Sequence, residues 1–156
     1  MVHEPWNAAR AAAVIDEHAA LDGATLPILH ALQETFGYIH ADVTPMLAEA
    51  MNLSRAEIHG VITFYHDFRR EPAGRHVVKL CRAEACQAVG AVALANHAKR
   101  KLGIDWHETT ADGRVTLEPV FCLGLCACGP AALVDNEPFS GLDTGAFDAC
   151  LAELRA

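Results

Sequence analysis

The sequence predicts an α/β protein in two parts, an N-terminal helical bundle followed by a small α/β sandwich. Three observations predict it. Apolar residues keep helical spacing from about Asn7 to Phe68. The stretch Arg69 to Arg75, rich in charge and holding Pro72 and Gly74, then breaks the pattern. Beyond it, short strand-like runs surround one long amphipathic run. The expected division places a helical bundle domain at residues 1–74 and an α/β domain at residues 75–156.

The elements follow in chain order. Asn7 to His18 is alanine-rich and predicts a first helix. Ile28, Leu29, Leu32 and Phe36 share one face of a second, with Pro27 near its start and Gly37 at its end. Val43, Met46, Leu47 and Ala50 make a third, short apolar face. Ser54 and Glu57 form a capping box before Ile58, Val61, Ile62 and Tyr65, which fall at i, i+3, i+4 and i+7. Phe64 and Tyr65 read as bundle core. Each stripe needs a partner to bury it, and four such stripes bury one another in a bundle. In the second part, His76 to Leu80 predicts a strand running into Cys81, and Gly90 to Leu102 a helix with Leu94, Ala95, Ala98 and Leu102 inward. Val115 to Val120 and Ala131 to Asp135 predict further strands, with a short fourth within Asn136 to Gly141. Thr144 to Arg155 closes the chain as a helix, with Phe147, Cys150, Leu151 and Leu154 inward.

Composition narrows the function. Apolar residues make up 52% of the 156, enough for a core, and the net charge of −8 comes without any basic block. Tight nucleic-acid binding, which rests on neutralising phosphates, is therefore not expected. No apolar run approaches the roughly 20 residues of a membrane span. The start, Met1-Val2-His3-Glu4-Pro5-Trp6, lacks the character of a secretory signal, so the expected location is cytoplasmic. Six cysteines in a reducing compartment point to ligands or buried thiols rather than disulfides.

Four of those cysteines form two pairs, Cys81 with Cys86 and Cys122 with Cys126, each just after a predicted strand. Thiolates a few residues apart on a tight loop converge on a soft metal centre. Neither pair has the two-residue gap of a zinc ribbon or a redox dithiol. Spacers of four, thirty-five and three residues suit an iron–sulfur cluster better, with structural zinc and dithiol chemistry as the alternatives. One metal could bind Cys81 with Cys86, and the other Cys122 with Cys126. An oxidised all-thiolate 2Fe–2S centre carries a formal charge of about −2, so it calls for N–H donors and positive potential. Cys86 is expected just before a helix, whose free N–H groups face the site. Gly124 is expected to let the backbone approach closely, Arg82 to supply counter-charge, and Phe121, Leu123 and Leu125 to exclude water.

The same residues carry a resemblance. Leu80-Cys81-Arg82-Ala83-Glu84-Ala85-Cys86 and Val120-Phe121-Cys122-Leu123-Gly124-Leu125-Cys126-Ala127-Cys128-Gly129-Pro130 resemble the thioredoxin-like 2Fe–2S ferredoxins. Within them the chain looks like the gamma subunit of NAD-dependent, molybdenum-containing formate dehydrogenases, on its Arg-Ala-Glu-Ala spacer and Cys126-Ala127-Cys128-Gly129-Pro130. That group is similar to the 24-kDa subunit of respiratory complex I and to subunits of NAD-linked hydrogenases. Leu26 to Ile39 and Ile58 to Tyr65 fit as well, so the resemblance covers nearly the whole chain. It implies a thioredoxin-like α/β domain behind the bundle, holding one 2Fe–2S cluster on Cys81, Cys86, Cys122 and Cys126. It also implies one-electron relay beside a flavin- and NAD-binding subunit, with the molybdenum-containing catalytic subunit on another chain. No catalytic site is expected on this chain itself, which has no Gly-rich phosphate loop after a strand. The equivalent subunit of complex I or of an NAD-linked hydrogenase is the alternative, and a zinc-stabilised interaction module the remote one.

The other candidates read blandly. Cys150 lies on an apolar helical stripe and is expected to be a buried thiol. Cys128 is expected not to be a ligand, because the matching family position of the fourth ligand is Cys126. His59 and His66 lie seven apart, too far for a helical metal pair, and His30, His40, His97 and His107 are scattered.

Overall fold

The structure is a computed structural model that describes residues 3–154. The chain divides into two compact units, one ending at Pro72 and the other beginning at Ala73.

The first unit is all-helical. Helix α1 (Ala8–His18) starts where the Asn7 side chain accepts from the Arg10 N–H, and it buries Ala11, Val14 and Ile15. Helix α2 (Thr25–Phe36) buries Ile28, Leu29, Leu32 and Phe36 on one face. It ends at Gly37, whose φ of 82° is the left-handed value that glycine takes without strain. Helix α3 (Val43–Met51) buries Val43, Leu47 and Ala48, while the expected Ala50 is exposed. Helix α4 (Arg55–Phe64) begins with the expected capping box: the Ser54 hydroxyl accepts from the Glu57 N–H, and the Glu57 carboxylate accepts from the Ser54 N–H. Ile58 and Ile62 point inward, but the reading of Phe64 and Tyr65 as core is corrected. The helix stops at Phe64, Tyr65 turns extended, and the two rings are 74% and 42% exposed. Phe68 fills the core instead. Gln33 clamps the chain that follows: its amide donates to the Asp67 carbonyl and accepts from the Arg69 N–H.

The second unit is a five-stranded sheet in the order β2 (Glu108–Thr109), β3 (Val115–Val120), β1 (His76–Cys81), β4 (Ala132–Val134) and β5 (Glu137–Phe139). Strands β1 (His76–Cys81) and β3 (Val115–Val120) run parallel, in a register that pairs Lys79 with Glu118 and Cys81 with Val120. Strand β4 (Ala132–Val134) pairs antiparallel to β1 on its other side. The hairpin from β4 to β5 (Glu137–Phe139) turns on Asp135 and Asn136, both at positive φ, the two-residue turn whose twist suits paired strands. Helices α6 (Ala91–Leu102) and α7 (Thr144–Glu153) lay Leu94, Ala95, Ala98, Phe147 and Leu151 against Val78, Leu80, Val115, Leu117, Ala132 and Val134. The sequence reading extended α7 to Arg155, which lies outside the described residues. Cys150 is half-buried beside this core, and burial pushes its thiol up. Three elements were not expected, the five-residue helix α5 (Glu84–Ala88), the two-residue strand β2 (Glu108–Thr109) and a single 3-10 turn at Cys126–Cys128. No helix among the described residues is long and apolar enough to cross a membrane.

Candidate metal centre

Two adjacent parallel strands deliver the two cysteine pairs. Strand β1 ends at Cys81, whose N–H donates to the Ala131 carbonyl, and the Arg82 N–H donates to the Val120 carbonyl. The chain then turns through Ala83 into α5, and Cys86 is the third residue of that helix. Strand β3 ends at Val120, and Cys122 follows at a φ of 71°. Gly124 turns the loop back, and Cys126 opens a single 3-10 turn, Cys126–Cys128. That path brings the Cys122 and Cys126 sulfurs to 3.6 Å. Cys81 and Cys86 are buried, and Cys122, Cys126 and Cys128 are exposed. Ala91 and Ala131 are buried beside the inner pair, with Ala83, Val120, Leu123 and Leu125 packed around them.

The electrostatics separate the thiols. Burial pushes Cys81 up, yet the N–H groups of Ala83 and Cys122, the Cys86 thiol and the Leu123 N–H outweigh it and hold Cys81 below the ordinary thiol range. Cys86 is pushed up, first by burial and then by the Cys81 thiol. Cys126 is pushed up chiefly by Cys122. Neighbouring thiols that resist joint ionisation become joint ligands when a cationic centre sits among them.

Several expectations change in detail. Cys86 stands inside α5 rather than just before a helix, and the N–H groups that reach sulfur come from Ala83, Cys122 and Leu123 at Cys81 and from Ala131 at Cys86. A Cβ at Gly124 would meet nothing within 4 Å, so this glycine serves its φ of 77° and not a close approach. The tight glycine is Gly129, where a Cβ would lie 3.3 Å from Cys86 Sγ and 3.0 Å from Val89. Arg82 lays its guanidinium 5.3 Å from the centre of the Trp106 ring, which Lys99 also approaches at 4.6 Å. Phe121 is 69% exposed and stands apart from the buried thiols, whereas Leu123 and Leu125 pack against them. The histidines take other partners: His40 stacks on Trp6, His76 meets Asp135 and His97 meets Asp148. Among the described residues, no three or more His, Cys, Asp or Glu side chains gather as a single-ion site.

Two thiol pairs, N–H groups aimed at sulfur and an apolar inner wall are what an all-cysteine two-iron cluster requires, and the donor set fits it.

Known proteins resemble this chain over most of its length. The model of the family described as thioredoxin-like [2Fe-2S] ferredoxin matches residues 11–155. The chain is 34% identical over 114 residues to a component of the NADH-quinone oxidoreductase of Pseudomonas aeruginosa, covering 73% of this chain and 69% of that one. It is 31% identical over 132 residues to the HndA component of the NADP-reducing hydrogenase of Solidesulfovibrio fructosivorans, covering 85% and 77%. The crystal structure of an NAD+-reducing [NiFe]-hydrogenase in the air-oxidized state superposes with a TM-score of 0.70 at 28% identity. That superposition covers 83% of this chain and 22% of the hydrogenase chain.

Proposed function

The chain belongs to the thioredoxin-like 2Fe–2S ferredoxins and carries one 2Fe–2S cluster, and we propose that Cys81, Cys86, Cys122 and Cys126 are its four ligands. The cluster, when bound, supplies one-electron chemistry. The chain's residues supply its environment. Cys81 and Cys86 approach from the buried side, and the N–H groups of Ala83, Cys122 and Leu123 stabilise negative charge on sulfur. Leu123 and Leu125 exclude water beside them. Cys122 and Cys126 are exposed, which suits electron exchange with a partner. The 3.6 Å approach of Cys122 and Cys126 at the end of β3, beside buried Cys81 and Cys86 at the end of β1, carries the assignment. Residues 75–156 form the cluster domain in this reading and hold all six cysteines. Residues 1–74 form a docking domain.

The chain is an electron-transfer subunit of an oxidoreductase complex, working in the cytoplasm beside a subunit that binds flavin and NAD. For the parent complex, the Arg82-Ala83-Glu84-Ala85 spacer and Cys126-Ala127-Cys128-Gly129-Pro130 favour an NAD-dependent formate dehydrogenase with a molybdenum-containing catalytic subunit. The similarity to components of NADH-quinone oxidoreductase and of an NADP-reducing hydrogenase favours the equivalent position in one of those complexes. Co-purification of the tagged chain from its own cells, with the partner chains identified by mass spectrometry, decides between them. Recovery of a molybdenum subunit supports the first, and recovery of quinone-reductase or hydrogenase subunits replaces it.

A further inference from the structure

Arg82 follows Cys81 directly, and its backbone is tied to both cysteine loops. Its N–H donates to the carbonyl of Val120, just ahead of Cys122, and its own carbonyl accepts from the side-chain amide of Gln87, next to Cys86. From that fixed base the side chain crosses to Trp106, with the guanidinium 5.3 Å from the ring centre. The ring is itself held. It packs against the sheet core near Leu102 and Ile104, and its backbone N–H donates to the Asp105 carboxylate. The next residue, His107, donates its N–H to the Leu117 carbonyl on β3. Lys99 also approaches the ring, but Asp105 pairs with it and answers its charge. Among the described residues no carboxylate pairs with Arg82, so the ring is what its guanidinium meets.

We propose that Trp106 is a positioning residue for the cluster: its ring fixes the Arg82 guanidinium beside Cys81, where the cation raises the reduction potential. This rests on the ligand assignment above. Reduction adds one electron to a cluster that is already anionic, so a nearby cation favours it. Consecutive Cα atoms lie about 3.8 Å apart, which keeps this charge within about a Debye length of Cys81, roughly 10 Å at 0.1 M salt. An untethered arginine spreads its charge over many rotamers and into water, where salt screens it. Stacking on an aromatic face keeps the charge and ends that spread. A tryptophan that merely filled the core would instead lower stability when removed and leave the potential where it was.

The test is a redox titration of the purified, cluster-loaded chain, followed by electron paramagnetic resonance. Arg82→Gln should lower the one-electron equilibrium constant about tenfold, which is about 59 mV. Arg82→Lys, which keeps a cation that the ring can hold, should stay near the wild type. Trp106→Leu should lower the potential by a smaller amount. In the Arg82→Gln background the same change should add nothing, because its effect passes through the guanidinium. If Trp106→Leu fails to load, Trp106→Phe replaces it, since a smaller ring holds the cation less well. Its fall should be smaller and should also vanish in the Arg82→Gln background. An unshifted or raised potential in Arg82→Gln overturns the inference. So does a Trp106 shift that survives the loss of Arg82, or the absence of any Trp106 shift. The ligand assignment fails separately, if Cys81→Ser and Cys122→Ser each keep full iron, full sulfide and an unchanged resonance.

Discussion

Cys122 and Cys126 hold their sulfurs 3.6 Å apart across a loop that enters the left-handed region at both Cys122 and Gly124. Cys128, two residues on, instead donates its N–H to the Leu125 carbonyl, and its own carbonyl accepts from Gly141, which ties it toward the chain's exit. Cys126→Ser should therefore abolish or strongly alter the cluster, because a serine oxygen is a harder donor that suits iron poorly. Cys128→Ser should assemble a full cluster. Iron, acid-labile sulfide and the reduced resonance spectrum of both variants decide it, and the reverse pattern would exchange the two assignments.

All six cysteines follow the boundary at Ala73, so the first unit supplies no thiol. A chain beginning at Ala73 should bind iron and sulfide near 2:2 and give one unpaired spin on reduction. It should lose most of its affinity for the proposed flavin- and NAD-binding partner. Wild-type affinity in a binding assay would remove the docking role from residues 1–72.

The capping box at α4 makes stability depend on pH. The Ser54 N–H and then the Ser54 hydroxyl donate to the Glu57 carboxylate and pull its pKa below the ordinary value of 4.5. The folded state thus binds this proton less readily than the unfolded one. The contribution is fully present above pH 4.5 and is lost as the pH falls through the lower, folded value. In urea unfolding, Glu57→Gln should cost stability near neutrality, and the difference from wild type should shrink below that pH. Ser54→Ala should cost about 1 kcal/mol, the usual worth of an N-cap. A Glu57→Gln difference that grows with acid would contradict the linkage.

Where a residue's role depended on its own segment, the sequence reading succeeded. The stripe of Ile28, Leu29, Leu32 and Phe36, the Ser54–Glu57 box and the bounds of β3 all follow from local spacing. It failed where a distant segment decides. Strand β2 is two residues long and exists only because Glu108 and Thr109 pair with β3. Helix α5 has five residues, too few to show a period. Phe64 and Tyr65 continued an apolar stripe, but the helix ends at Phe64 and the stripe loses its meaning there. At the candidate site, the type of cofactor was legible in the spacing of the cysteines. The N–H groups facing Cys81 were not, because they come from Ala83 on one loop and from Cys122 and Leu123 on another.

The two glycines near the thiols should respond differently to alanine. Gly124 stands at a φ of 77° with open space around its Cα. Alanine there pays only for the left-handed backbone, about 1–2 kcal/mol, and meets no neighbour. Gly129 has a φ of −64°, which any residue adopts, but its Cβ would press on Cys86 Sγ at 3.3 Å and Val89 Cγ2 at 3.0 Å. Both contacts are tighter than the roughly 3.5–4.0 Å of optimal packing, so the buried thiol must shift. Gly124→Ala should therefore lower the unfolding midpoint while leaving cluster content and the resonance spectrum unchanged. Gly129→Ala should change the spectrum or reduce iron and sulfide loading, because it displaces a proposed ligand. Unfolding curves, metal analysis and resonance spectra of the two variants make the comparison. A normal spectrum in Gly129→Ala with a disturbed one in Gly124→Ala would show that the second loop, and not the wall behind Cys86, controls the geometry of the site.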